Sequence, residues 1–92
     1  MLNHHELELA WALSESVGPR VSETDQHQIY IALGLGEPLA AIRIMLQLAV
    51  SHRIALSVDL VAAARLWSRA YWGSPDEDPL RDLLELVEVE PA

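Results

Sequence analysis

No cysteine, no lysine and no phenylalanine occurs among the 92 residues of this chain. Without cysteine, neither a disulfide framework nor a thiolate metal site is available, which fits a reducing compartment. A long hydrophobic run is also missing. The longest, Leu39 to Val50, is twelve residues and is interrupted by Arg43 and Gln47, whereas a membrane-spanning helix needs about 20. The first nine residues carry two glutamates and lack the basic start and apolar stretch of a secretory signal. These absences lead to the expectation of a cytoplasmic chain. All six cations are arginines; with abundant alanine and leucine, this suggests GC-rich coding and says little about function.

What is present is mostly apolar. Hydrophobic residues make up 51% of the chain, slightly above the ordinary globular range of about 45–50%. A single domain of this length buries roughly 60–65% of its unfolded surface, so its core is thin. Association is one way to cover the remainder. The net charge of −8 is uneven. Residues 73–92 hold seven acids against Arg81, residues 20–72 hold five arginines against four acids, and residues 1–19 hold three glutamates. A nearly neutral body followed by an acidic segment argues against a polyanionic partner.

Punctuation and periodicity predict an all-α fold, a compact bundle of about five helices with short loops. The whole is one helical domain, with residues 1–72 as the main bundle and 73–92 as an acidic C-terminal helix. The first helix is expected over His4 to Val17, with Asn3 as cap, Glu6 completing a capping box, and Leu2 and Leu7 as a staple. Leu7, Ala10, Trp11, Leu9, Leu13 and Val17 then form its broad apolar face, and Gly18-Pro19 ends it. Ser22 caps a second helix from Glu23 to Leu33, whose buried side is Ile29, Tyr30 and Leu33. Pro38 opens a third, which runs to about Arg53. This third helix is apolar around nearly its whole circumference, apart from a stripe of Arg43, Gln47 and Ser51. It is expected at the centre, with His52 and Arg53 complementing its C-terminal partial charge.

A fourth helix, from near Ser57 to about Trp72, turns Leu60, Ala63, Ala64, Trp67, Ala70 and Tyr71 inward. Val58, Ala62, Arg65, Arg69 and Trp72 form a second, more exposed stripe. The fifth helix is capped by Ser74 or, in preference, by Asp78 with Pro79 at the first helical position. Leu80, Leu83, Leu84 and Val87 are its inner stripe, and the end from Val89 to Pro91 is expected to fray.

Four constellations carry possible chemistry. His4 and Glu8, four apart on a helix, could share a metal ion, but closed metal sites need more ligands. The second helix, the Gly34-Leu35-Gly36 turn and the third helix resemble a helix-turn-helix in outline. The third helix offers only Arg43 before its last turn, however, and DNA affinity requires clustered positive charge. The aromatic pairs Trp11 with Tyr30 and Trp67 with Tyr71 suit a core better than a ligand pocket. Arg65, Arg69 and Trp72 share one helical face and are residue types enriched at interface anchors. Their arginines face carboxylates in either of two readings, those of Asp82 and Glu85 in the same chain or those of another subunit.

No nucleophile, base and orienter converge in the sequence, so no catalytic residue and no cofactor is expected. The function expected is a non-enzymatic protein–protein interaction module, self-associating through Arg65, Arg69, Trp72, Asp82 and Glu85. Its partner is then a protein, with nucleic acid disfavoured and no membrane or small molecule implied. The alternatives are a helix-turn-helix DNA-binding regulator and a small metal- or ligand-binding protein.

Overall fold

Most of the start and stop signals act near where the sequence places them. A computed structural model describes residues 4–91, with side chains from residue 5 to residue 91. Among these, five α-helices follow in order: α1 (His4–Val17), α2 (Glu23–Gly34), α3 (Pro38–Ser51), α4 (Val58–Ser68) and α5 (Glu77–Leu86). Two 3-10 turns, Gly18–Arg20 and Arg69–Tyr71, extend α1 and α4. The predicted cap at Asn3 and the Leu2 half of the staple lie outside the described residues. The protein is the all-α bundle of about five helices that the sequence predicts.

Several helix ends have a local cause. The Ser22 and Ser57 hydroxyls accept the amides of Asp25 and Leu60, each at 3.1 Å, and so cap α2 and α4. The turn after α2 is a Schellman motif. The Glu37 amide bonds back to the Ala32 carbonyl and Gly36 to Leu33, with Gly36 at φ +73°, where only glycine is unstrained. The turn after α3 repeats the motif through Ile54 to Ala49 and Arg53 to Val50. Here Arg53 occupies the left-handed position, at φ +55°. The third helix therefore stops at Ser51, and Arg53 is a turn residue rather than a helical one.

The start of α5 differs from expectation. Asp76 is its cap residue and Pro79 is third in the helix, not first. That is tolerated because none of the first four amides of a helix has an intrahelical acceptor, so proline sacrifices nothing there. The Ser74 hydroxyl accepts the Asp76 amide at 3.2 Å, and the Glu77 carboxylate accepts that of Gly73 at 2.6 Å.

The apolar third helix is central, as predicted. α3 packs against α1, α2 and α5, and α4 closes the bundle against α1 and α5. Ala41, Ile42, Met45, Leu46 and Ala49 are wholly buried there. They meet Leu13 and Val17 of α1, Ile29 of α2, Val61 and Ala64 of α4, and Leu80 and Leu84 of α5 in one core.

Several inward assignments need correction. Trp11 is 49% exposed and Tyr30 51%, and Leu7 is also exposed. Trp11 lies about 200° around the helix from both Leu9 and Leu13, so burying that row turns it to solvent. Ala63 on α4 and Ala70 in the 3-10 turn after it are exposed, while Val61 is buried. The tail does not fray at Val89. It forms an isolated parallel bridge with Leu56, made by Leu56 N–H to the Glu88 carbonyl at 2.9 Å and Glu90 N–H to the Leu56 carbonyl at 2.8 Å. Arg53 adds an ion pair to Glu88 at 3.1 Å.

Candidate functional site

The stripe of Arg65, Arg69 and Trp72 lies along one side of an open groove of about 590 Å³ between α4 and α5. Helical spacing puts the three side chains on the same flank, and the Arg69–Tyr71 turn carries that flank to Trp72. From α5 come Glu77, Arg81, Leu84 and Glu85. Of the two predicted acidic partners, Glu85 lines the groove, whereas Asp82 is exposed on α5 outside that lining. Arg81 was not singled out from the sequence. Its place follows from Glu77 and Asp78, four and three residues earlier, both of which it pairs with.

The arginines are held in different ways. Arg65 donates to the Leu84 carbonyl at 3.5 Å. That carbonyl is in the last turn of α5, where carbonyls lack helical donors and the partial charge is negative. The Arg69 guanidinium lies 5.8 Å from the Trp72 ring centre, within cation–π range. Among the described residues, neither arginine has a carboxylate within ion-pairing distance, and neither Asp82 nor Glu85 has a cation within it. In contrast, Arg43, Arg53 and Arg81 are all paired, the first with Asp76 at 3.5 Å. Trp72 is 66% exposed at the groove end.

A second cluster ties α1 to α4. One oxygen of the Glu6 carboxylate accepts the Trp67 indole N–H at 2.9 Å and also the Tyr71 hydroxyl. The two rings are 5.2 Å apart and tilted by 58°. Burial, followed by the hydrogen bond to Glu6 and the negative charges of Glu6 and Asp76, pushes the Tyr71 hydroxyl well above the ordinary tyrosine value. Trp67 and Tyr71 thus serve the core, while Trp11 and Tyr30 do not.

The weak metal candidate is not assembled among the described residues. The His4 side chain lies outside them, Glu8 approaches His5 at 4.0 Å on an open surface, and no group of three potential ligands forms. In the would-be recognition helix α3 only Gln47 and Ser51 are exposed, with Arg43 engaged by Asp76. Among the described residues no helix is long and apolar enough to cross a membrane.

No family model, no curated protein and no solved structure matches the chain.

Proposed function

We propose that this chain is a non-enzymatic protein-interaction module that associates with a second copy of itself through the outer side of α4 and the neighbouring α5. The observation that carries this reading is the groove's unpaired charge. Arg65 and Arg69 stand beside Glu85 in one groove without forming an ion pair among the described residues, and Asp82 forms none there either. A carboxylate of a second copy supplies the partner each guanidinium lacks, and arginine takes carboxylates through two parallel hydrogen bonds. The exposed Trp72 adds a rigid apolar anchor of the kind that dominates interface energetics. A helix-turn-helix reading gains nothing from α3, which three neighbouring helices enclose.

Sedimentation of the wild type and of an Arg65→Glu/Arg69→Glu variant tests the proposal. Both arginines are exposed, so the variant is expected to fold. It should lose association, and the wild type should associate more weakly as salt screens the charges. Equal association of both proteins would remove the arginines from the interface.

A further inference from the structure

The outermost crest of α4 is self-complementary in one antiparallel register. Within α4, Val61, Ala64 and Trp67 are buried against the bundle. The opposite side carries, in order, Asp59, Ala62, Leu66 and Arg69, all exposed. Leu66 is 65% exposed although it is a large apolar residue in the middle of a helix. Beside it, Ala63, Ala70, Trp67 and His5 complete an open apolar depression of about 310 Å³ between α4 and the start of α1.

We infer that two copies pack α4 against α4 in antiparallel fashion, with a twofold axis at the level of Ala64. The inference rests on the self-association proposed above and adds a register, set by the crest beside the groove, with Arg69 common to both. An isologous interface requires that if residue i meets j, then j meets i. About that axis Leu66 faces the second copy's Ala62, a large residue against a small one, and Ala62 faces the second copy's Leu66. In the same register Asp59 faces the second copy's Arg69 at both ends of the contact. Val58, 53% exposed, meets the second copy's Ala70 at the rim of the depression.

Asp59 and Arg69 are about 15 Å apart along the helix, and neither has an ion-pair partner among the described residues. Parallel packing would instead set Arg69 on Arg69 and Leu66 on Leu66, opposing like charges and large residues. The charge complementarity therefore selects both the occupant, a second copy, and its direction. One helix pair is a small interface, so the dimer is expected to be a weak one.

The test is a charge swap read by sedimentation equilibrium on the full chain, with circular dichroism to show that each variant keeps its helix content. Leu66→Glu should raise the dissociation constant at least about tenfold, or 1.4 kcal/mol, and Asp59→Arg alone should also weaken the dimer by opposing Arg69. The double variant Asp59→Arg/Arg69→Asp restores the opposite charges and should recover the wild-type constant. A folded Leu66→Glu that dimerises like the wild type, or a double variant as weak as the single one, overturns the register while leaving self-association in place. A wild type that never dimerises overturns both.

Discussion

At the residue scale, the Glu6 carboxylate is a junction between helices that are distant in sequence. It gathers the indole of Trp67 and the hydroxyl of Tyr71, 61 and 65 positions away. A hydrogen bond to a charged group contributes roughly 1.5–3 kcal/mol, less where water reaches it, and Glu6 and Tyr71 are only partly buried. Glu6→Ala is therefore expected to lower the unfolding free energy by about 1–3 kcal/mol in a urea titration. Glu6→Gln, which keeps an acceptor oxygen, should cost less.

Tyr71 gives this junction a pH dependence. Its hydroxyl is raised above its unfolded value, first by burial and then by Glu6. The unfolded chain therefore releases that proton more readily than the folded one. Its contribution is fully present below about pH 10, the value of an unfolded tyrosine, and is lost as pH climbs toward the folded value. No lysine or cysteine titrates across that range. Tyr71→Phe should flatten the fall in thermal midpoint above pH 10 while lowering stability at neutral pH; an unchanged alkaline slope would contradict the assignment. The carboxylate's part was not legible in the sequence, where Glu6 fits a capping box equally well. What decides its role is the position of α4, a long-range fact.

At the scale of elements, the helix boundaries were largely readable because their causes are local. Ser22, Ser57, Gly36 and Pro38 act through their own backbone geometry. The burial of α3 was readable too, since its apolar circumference leaves it nowhere else to be. Errors arose where more than one arrangement satisfied the pattern. α1 carries apolar residues on two flanks, and only packing chose Leu9, Leu13 and Val17 over Leu7 and Trp11. The tail's bridge to Leu56 was illegible for the same reason: the Glu-Val-Glu alternation is short, and its partner is a connecting segment. The bridge makes a specific prediction. Glu90→Pro deletes the donor to the Leu56 carbonyl yet suits an extended segment, so it should cost about 1 kcal/mol. Glu90→Ala keeps the amide and should be nearly neutral. Equal denaturation midpoints for the two variants would show that the bridge contributes nothing.

At the scale of the whole molecule, the distribution of paired and unpaired charge is the main clue to function. Arginines 43 and 53 tie segments of the fold together and Arg81 pairs within its own helix, whereas Arg65 and Arg69 face solvent beside an exposed tryptophan. The stripe they form was visible from helical spacing alone. Whether the carboxylates of α5 would reach it was not, because the rotation of α5 about its own axis decides the matter. As folded, they stop short, and among the described residues Arg65, Arg69, Asp82 and Glu85 form no ion pair. Leu66 was overlooked in the sequence because an isolated leucine in an apolar helix reads as core until the buried face is known.

The central claim, self-association, is tested most directly by light scattering of the untagged wild-type chain over a wide concentration range, roughly 10 to 500 µM for a weak interface. The mass should rise from the 10.2 kDa of one chain toward twice that value and fall back on dilution. A mass that stays at one chain throughout would contradict self-association and leave the groove for a different acidic protein.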